Sequence, residues 1–419
     1  MGSGKLPMRI AMIGPFGLRP KGTMAARALP LAQALAARGH AVTLILPPWS
    51  WPEDAGRTWE EGGVLIQNVA LPPRLPLAGH TLLTARLVRR ALAWQPDVIH
   101  CFKPKAYAGL AAWALYWLRR LGRTQARLVV DSDDWEGRGG WNEVERYTWA
   151  QKRFFAWQER WGLTHCDAVT VASRALETLA WSLGVPPKRV FYVPNGLWSA
   201  EPSTGLPSTG LKPGWLQHSI PGPQKIREEF GLGDGPVLLL YTRFVEFRPD
   251  RPIRVLKRVV SAVPTARLLV VGQGLRGEEA HLLQAAQAAG VQDHVIYASW
   301  LTGKALAHAF AAADLALYPY DDTLLNRTKC SAKLIDLMAA GVPVIADAVG
   351  QNVEYIVSGQ SGVLVPPGDI EAMAAAAVEL LCAPPNVRAA LGQAAAQRVR
   401  QVFAWERLVL EVERAYGGQ

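Results

Sequence analysis

Cysteine is scarce in this sequence, and long apolar runs are lacking. Four of the 419 residues are cysteines, and they form neither a Cys-x-x-Cys pair nor a set with metal-ligand spacing: Cys101, Cys166, Cys330 and Cys382. This pattern excludes a disulfide framework and fits buried thiols in a reducing compartment. The longest apolar run has thirteen residues, 106–118, and is too short to span a bilayer.

Charged residues are also few. They make up 19% of the chain, whereas 50% of the residues are hydrophobic. This ratio excludes an intrinsically disordered protein and predicts a well-buried globular one. Because 419 residues exceed what one hydrophobic core usually supports, we expect two domains. Residues 1–7 are polar and lack the pattern of a secretory leader, so we expect a cytoplasmic protein.

The net charge of +10 is concentrated in one segment. From Arg74 to Arg127 there are ten basic residues and one acid, Asp97, and thirteen of the sixteen tryptophans precede residue 199. Such a mixture is typical of a surface that binds anionic lipid headgroups or phosphates, so peripheral association with the inner membrane face is a hypothesis. A solvated basic face over ordinary core tryptophans explains the pattern equally well. No nucleic-acid partner is expected, because no recognition motif accompanies the charge.

Short β-branched runs alternate with longer helical patterns along the whole chain, which predicts parallel sheets built from βαβ units. The predicted strands are 9–13, 42–46, 97–100, 127–130, 168–171, 192–193, 237–241, 268–271, 295–297, 315–317 and 344–346. A stretch rich in Pro, Gly, Ser and Thr separates the two series. We therefore predict an α/β protein with two Rossmann-like domains, residues 1–198 and 223–400, a linker at 199–222, and a C-terminal segment at 401–419.

A dinucleotide-binding fingerprint is lacking in both halves. The loop after the first strand carries Gly14, Gly17 and Gly22, and a later strand is followed by Gly272 and Gly274, but neither set reads G-x-G-x-x-G. This argues against an NAD-type site. Ligands of such sheets bind beyond the carboxyl ends of the strands, so we expect the site in the cleft between the domains.

Two arginines, Arg243 and Arg248, come just after a strand of the second half. Two fixed guanidinium groups at the end of a strand can clamp a diphosphate and stabilise charge on a leaving phosphate. Taken alone, this segment would more simply be a pair of exposed surface arginines.

A helix that ends at Gly341 offers a second anion site at its start. The backbone amides near 329–332 can hold phosphate oxygens, because helix N-termini bind anions. Lys329, Ser331 and Lys333 belong to this start, and Asp336, one turn further, could accept hydrogen bonds from ribose hydroxyls. Taken alone, Asp336 is better explained as a solvated helix carboxylate.

Together these residues resemble the family 4 retaining glycosyltransferases of the GT-B fold. The segments that carry the resemblance are Arg243 with Arg248, 271–274 (Val-Gly-Gln-Gly), 336–345 (Asp-Leu-Met-Ala-Ala-Gly-Val-Pro-Val-Ile), Glu354 with 362–369, and in the first half 38–42, 96–100 and 193–196. The segment 403–405 (Phe-Ala-Trp) resembles the start of the helix that crosses back to the first domain.

The resemblance implies a nucleoside diphosphate-sugar donor and a hydroxyl acceptor, with no cofactor and no metal. Arg243 and Arg248 would hold the diphosphate, and Asp133 and Asp134 would lie where the acceptor enters. The donor would also contact Gly22, Thr23, Asn195, Gly272, Gly274, Lys329, Ser331, Lys333, Asp336 and Glu354. The acceptor is not identified, and a lipid-linked one is among the candidates.

The sequence departs from the family pattern at one important position. Eight residues before Asp336 stands Thr328, where the family commonly has a second glutamate. Asp321 or Asp322 are the candidate replacements. The departure leaves open the donor sugar and the acceptor contacts, and it motivates one rival function, a sugar- or lipid-binding protein without catalysis. The other rival function is an epimerase or phosphorylase on the same fold.

Three further features have simple structural explanations. His100 is expected to be a packed histidine, and the series Trp149, Trp157 and Trp161 is expected to belong to the core. The cluster at 131–134 (Asp-Ser-Asp-Asp) could be a metal site, but no other ligands recur nearby in the sequence.

Overall fold

The structure, a computed structural model, describes residues 6–19, 22–73, 78–199 and 223–417. The predicted linker therefore lies outside the described residues except for Ser199. The elements of the first half are β1 (Arg9–Ile13), α1 (Leu29–Ala37), β2 (Ala41–Leu46), β3 (Thr58–Glu61), β4 (Val64–Asn68), α2 (Ala78–Ala93), β5 (Val98–Phe102), α3 (Ala106–Arg120), β6 (Arg127–Ser132), α4 (Trp141–Val144), α5 (Trp149–Thr164), β7 (Ala168–Val171), α6 (Arg174–Ser182) and β8 (Val190–Tyr192).

The second half has the same alternation. Its elements are α7 (Pro223–Phe230), β9 (Val237–Thr242), α8 (Asp250–Ala262), β10 (Arg267–Gly272), α9 (Glu278–Ala289), β11 (Val295–Tyr297), α10 (Gly303–Ala312), β12 (Leu315–Tyr318), α11 (Leu324–Thr328), α12 (Ala332–Ala339), β13 (Val344–Asp347), α13 (Asn352–Tyr355), β14 (Val363–Val365), α14 (Ile370–Cys382), α15 (Pro385–Val402) and α16 (Trp405–Gly417).

Each half forms one sheet. In the described part of the first domain, eight strands lie in the order β3-β4-β2-β1-β5-β6-β7-β8, and in the second, six lie in the order β11-β10-β9-β12-β13-β14. The pairings are parallel except that β3 runs antiparallel to β4. The central strands are buried along their length, as expected for parallel strands covered by helices on both faces. The predicted fold, two Rossmann-like domains facing a cleft, is confirmed.

Three strands were not predicted. β3 and β4 form a hairpin through Gly62 and Gly63, and β14 closes the far edge of the second sheet. β3 consists of Thr-Trp-Glu-Glu and exposes alternate residues at an edge. It therefore lacks the continuous apolar run by which the central strands are recognised.

Helix α16 returns from the second domain and packs on the first. Trp405, Val409 and Val412 are fully buried in the cluster that also contains β1 and α1 side chains. The Tyr416 hydroxyl lies 2.8 Å from Nδ1 of His100, whose other nitrogen lies 3.1 Å from the Thr170 hydroxyl. His100 is thus a packed histidine, as predicted, and burial lowers its pKa to about 3.

Within the described ranges, no single helix combines the length and apolar composition of a membrane span. Taken together, α14 and α15 meet both criteria, and the pair is bent by 115° at the break between them.

Candidate functional site

A cavity of about 410 Å³ lies between the domains, beyond the carboxyl ends of the strands. Nine of the predicted site residues line it: Gly22, Thr23, Asp133, Asp134 and Asn195 from the first domain, and Arg243, Lys329, Ser331 and Lys333 from the second. The two walls differ in charge. All the acids that line the cavity belong to the first domain, whereas the lining from the second domain carries three cations and no acid.

Arg243 is the first residue after β9 and lines the cavity. The chain turns sharply there, because Phe244 has a φ of +63° and its amide donates to the Thr242 hydroxyl at 2.8 Å. In the described part of the chain, no carboxylate forms an ion pair with Arg243, and its buried Nε has no hydrogen-bond partner. The turn thus holds a guanidinium group at the cavity with its charge uncompensated.

Lys329, which precedes α12, and Lys333, in its first turn, both interact with the buried acid Glu246. Lys329 forms an ion pair with Glu246. Burial alone would raise the pKa of Glu246, but the two lysines outweigh it and lower that pKa to about 2. Burial also lowers the pKa of Lys333 to about 7; Glu246 opposes the shift, and Lys329 and Arg243 reinforce it. Three cations and one acid leave this wall positive.

Helix α12 begins at the same wall. Its N-terminal flank, 329–331, and its first two residues line the cavity. The hydroxyl of Ser331, which precedes the helix, accepts a hydrogen bond from Tyr318. The free N–H groups of the first helical turn therefore lie beside the three cations, and both features favour a bound anion.

The wall from the first domain is built around one buried lysine. Lys103 Nζ lies 3.6 Å from Asp133, 3.0 Å from Asp134 and 3.2 Å from Glu136. Burial opposes its charge, but the three carboxylates raise the pKa of Lys103 well above its usual value. The Thr23 hydroxyl donates to Asp133 at 2.5 Å, which ties the loop after β1 to the loop after β6.

Asp131 does not share this role. Its carboxylate forms a fully buried ion pair with Arg27 at 2.7 Å and accepts a hydrogen bond from Thr170 at 2.6 Å. It does not line the cavity, whereas Asp133 and Asp134 do. The acidic cluster is therefore divided between a buried ion pair and the cavity wall.

Asn195 connects the two domains at the edge of the cavity. Its amide nitrogen donates to the Cys330 carbonyl at 2.7 Å, and its side-chain oxygen accepts from Arg27 at 3.3 Å. The Tyr355 hydroxyl donates to its backbone carbonyl at 2.8 Å. These bonds link the first domain directly to the residue that precedes Ser331.

Five predicted residues do not line the cavity. Arg248 differs most clearly from its predicted place at the cavity: its side chain is 80% exposed and lies 3.3 Å from the Asp250 carboxylate. Arg248 therefore does not line the cavity with Arg243, and the cations that line it beside Arg243 are Lys329 and Lys333. Asp336 is buried within α12, and Glu354 is half-buried on α13.

Gly272 and Gly274, which were predicted to contact the donor, have structural roles. Gly272 has a φ of +142°, and a Cβ there would lie 1.9 Å from the Thr242 carbonyl oxygen. Glycine is required because no side chain fits between these strands. Gly274 donates its amide to Glu279 at 2.9 Å.

Neither candidate replacement for the missing glutamate reaches the cavity. Asp321 accepts from Arg251 at 3.2 Å, and Asp322 forms an ion pair with Arg327. Thr328 is buried and donates to the Leu324 carbonyl at 2.9 Å. The acids that the cavity does contain, Glu136 and Glu145 beside the two aspartates, were not identified from the sequence, nor was Glu246.

Trp149 and Trp157 of α5 are exposed, contrary to the prediction that the series belongs to the core, and Trp161 is half-buried. Trp149 is 74% exposed and Trp157 is 44% exposed. What we call the α3–α5 surface consists of exposed side chains from α3, from the residue that follows it and from α5: Trp113, Trp117, Leu121, Trp149, Phe154 and Trp157. Tyr116 of α3 and Trp161 of α5 are in contact, with ring centroids 5.3 Å apart, so the two helices form one continuous face.

Two family models match the chain. The model for the glycosyl transferase 4-like domain matches residues 22–196, and that for glycosyl transferases group 1 matches residues 235–383. The matched ranges contain all the lining residues of the cavity except Pro15 and Phe16.

Curated relatives include two mycobacterial enzymes. The GDP-mannose-dependent α-(1-6)-phosphatidylinositol monomannoside mannosyltransferase of Mycolicibacterium smegmatis is 30% identical over 184 residues, which are 43% of this chain and 47% of that protein. The match thus spans about half the length of that relative. The phosphatidyl-myo-inositol mannosyltransferase of Mycobacterium leprae is 25% identical over 98% of this chain and 96% of its own.

Solved structures of low sequence identity share the whole fold. The sucrose-phosphate synthase of Thermosynechococcus elongatus superposes with a TM-score of 0.70 at 21% identity, over 98% of each chain. Anabaena HepE in complex with UDP and glucose gives 0.69 at 16% identity, over 97% of this chain and 98% of its own. These matches establish the GT-B fold.

Proposed function

The chain belongs to the family 4 glycosyltransferases of the GT-B fold, and from this premise we propose that it transfers a sugar from a nucleoside diphosphate-sugar to an acceptor hydroxyl, with retention of configuration. The observation that carries the proposal is the positive wall of the second domain. Arg243, Lys329 and Lys333 converge on the start of α12, where the diphosphate of the donor would be neutralised as the glycosidic bond breaks.

The opposite wall supports a role for Asp133 and Asp134 on the acceptor side. These carboxylates accept hydrogen bonds from O–H groups, and Lys103 holds them in place. The acceptor hydroxyl would then attack the face that the leaving diphosphate vacates. Such a reaction depends on positioning and electrostatics and needs no nucleophile from the protein. It is also proposed to need no metal, which activity in the presence of a chelator would test.

The proposal is tested by product analysis. Release of nucleoside diphosphate should depend on the acceptor, and NMR of the product should show the anomeric configuration of the donor. An epimerase would convert the nucleotide-sugar without releasing the diphosphate, a phosphorylase would require inorganic phosphate, and a non-catalytic binder would turn over nothing. Inversion at the anomeric carbon would overturn the retaining mechanism but not sugar transfer.

The nucleotide and the donor sugar are open, and a thermal-shift screen would identify them. UDP-, GDP- and ADP-sugars should be compared on the full chain. A ligand at a hundredfold excess over its Kd stabilises the folded state by about 2.7 kcal/mol, so the cognate donor should stand out clearly.

We expect nucleoside diphosphate binding to weaken as the pH rises. Lys333 is charged below its pKa of about 7 and neutral above it, so binding an anion at higher pH requires uptake of a proton. Affinity measured by titration calorimetry should fall between pH 6 and pH 9, by up to about tenfold per pH unit. A Lys333→Arg variant is the control, because arginine keeps its charge over this pH range. Any pH dependence that remains in this variant comes from the other groups, including the phosphates of the ligand. Equal pH profiles for both proteins would contradict the role of Lys333.

The acceptor is proposed to be lipid-linked, because an exposed aromatic face lies close to the cavity. The rings of Tyr147, which lines the cavity, and Phe155 of α5 are 5.0 Å apart at their centroids. The α3–α5 surface continues from there, and the exposed Arg120, Arg123, Arg153 and Arg160 flank it. Tryptophan with arginine is typical of a face that lies in the lipid headgroup region. The protein would thus sit peripherally on an anionic membrane.

Sedimentation with vesicles tests this second proposal. Wild-type protein should bind phosphatidylglycerol vesicles at low salt, and an Arg120→Glu/Arg123→Glu variant should bind more weakly, because each basic residue near the surface contributes about 1 kcal/mol. Hydrolysis of the donor should be unchanged in that variant. Wild-type protein that ignores anionic vesicles would favour a small soluble acceptor.

A further inference from the structure

A second, larger cavity lies outside the cleft, along the edge of the first domain. It has a volume of about 1140 Å³ and runs between the edge strand β8 and the crossing helix α16; we call it the β8–α16 groove. Its charged lining residues are Arg127, Arg174, Glu177, Lys188, Arg189, Arg407, Glu411 and Arg414. None of them lines the cleft cavity or belongs to the donor and acceptor residues considered above.

The groove carries a large excess of positive charge. Its two acids are occupied: Glu177 pairs with Arg174 at 2.8 Å, and Glu411 pairs with Arg414 at 2.8 Å. Among the residues that the structure describes, no carboxylate forms an ion pair with Arg127, Lys188, Arg189 or Arg407. The groove therefore concentrates four cations that have no ion-pair partner among the described residues, an arrangement that attracts anions from solution.

Several of the arginines that line the groove are held in fixed positions. Arg127 donates to the Ala415 carbonyl at 2.9 Å, and Arg189 donates to the carbonyls of Asp167 and Cys166. The Arg174 guanidinium lies 3.9 Å above the ring of Tyr192. Lys188 and Arg407 are exposed and free to approach a ligand. A frame of oriented guanidinium groups with two mobile cations suits multidentate binding of phosphate oxygens.

We propose that the β8–α16 groove is a second anion-binding site, which takes a ligand bearing two or more phosphate groups. Four cations without an ion-pair partner among the described residues exceed what one monoanion can neutralise, and guanidinium forks match phosphate geometry. The phosphates can belong to a soluble phosphorylated compound or to lipid headgroups, and the experiment below separates these sources.

Titration calorimetry of the full chain with inorganic tripolyphosphate tests the site. Because the cleft also holds cations, the titration is done on wild type and on Arg243→Ala, and both should show the groove site. Lys188→Gln/Arg407→Gln should weaken binding at that site at least tenfold. Arg254→Gln/Lys257→Gln, which removes one exposed arginine and one exposed lysine from α8, should leave it unchanged. Equal thermal unfolding temperatures would show that all variants fold.

The proposal is overturned if wild type shows no saturable site that survives Arg243→Ala, or if Lys188→Gln/Arg407→Gln binds tripolyphosphate as wild type does. Vesicles identify the source of the phosphates once the site is shown. Loss of phosphatidylglycerol vesicle binding in Lys188→Gln/Arg407→Gln assigns the groove to lipid headgroups, and unchanged vesicle binding assigns it to a soluble compound.

Discussion

Arg243→Ala should lower turnover by roughly 10²–10³ and leave the fold intact, the scale for loss of one preorganised charge stabiliser. The turn after β9 holds the guanidinium at the cavity, and no carboxylate in the described part of the chain neutralises it. Its charge is thus available to a leaving diphosphate. Lys329 and Lys333 would remain, but Glu246 offsets part of their charge. Steady-state kinetics with the cognate donor would measure the loss.

Arg248→Ala is the matched control, because it removes the same charge five residues away. Arg248 is 80% exposed and does not line the cavity, so we expect nearly normal turnover. Near-normal turnover in a folded Arg243→Ala protein would remove Arg243 from the donor site. Equal losses in both variants would show that Arg248 also reaches the donor, as the sequence pattern implied.

Asp131→Ala should destabilise the folded protein by about 3–5 kcal/mol. The substitution leaves the guanidinium of Arg27 uncompensated in the interior, where its side chain is 1% exposed. It also removes the hydrogen bond from Thr170. Denaturant unfolding monitored by tryptophan fluorescence would show a lower midpoint at an unchanged slope.

Two variants test whether the loss of stability comes from the broken Arg27–Asp131 ion pair or would follow the removal of any acid of the 131–134 cluster. Asp134→Ala should cost much less stability, because Lys103 keeps Asp133 and Glu136 as partners. Arg27→Met/Asp131→Leu removes both charges and should be more stable than Asp131→Ala alone. If Asp131→Ala and Asp134→Ala lowered stability equally, the buried pair would not have the importance assigned to it.

The sequence was sufficient for the architecture because parallel strands buried on both faces are continuous apolar runs. β1, β7 and β11 match the predicted bounds, and the other predicted strands differ by a few residues. The edge strand β3 was not predicted, because its partial exposure mixes polar and apolar residues. The exposure of α5 could not be predicted either, because tryptophans at helical spacing form the same sequence pattern whether that face of the helix packs on the core or faces the solvent.

Site residues were predictable where the backbone decides their place, and not where a side-chain network does. Arg243 and the start of α12 follow from strand ends and helix starts. The contact that holds Lys329 could not be predicted, because its partner Glu246 lies 83 residues away in the sequence. Likewise, Asp131 and Asp133 are two residues apart in the chain, yet Asp131 forms an ion pair with Arg27 and Asp133 forms one with Lys103.

Because α16 packs on the first domain, that domain needs the last part of the chain to complete its hydrophobic core. The ribosome synthesises β1 to β8 long before Trp405, Val409 and Val412, which fill the hydrophobic cluster beside β1 and α1. At about 5–20 residues per second, the first domain waits for tens of seconds with that apolar face uncovered. The second domain can meanwhile complete its own sheet. Folding of the first domain can therefore be completed only after α16 has emerged from the ribosome.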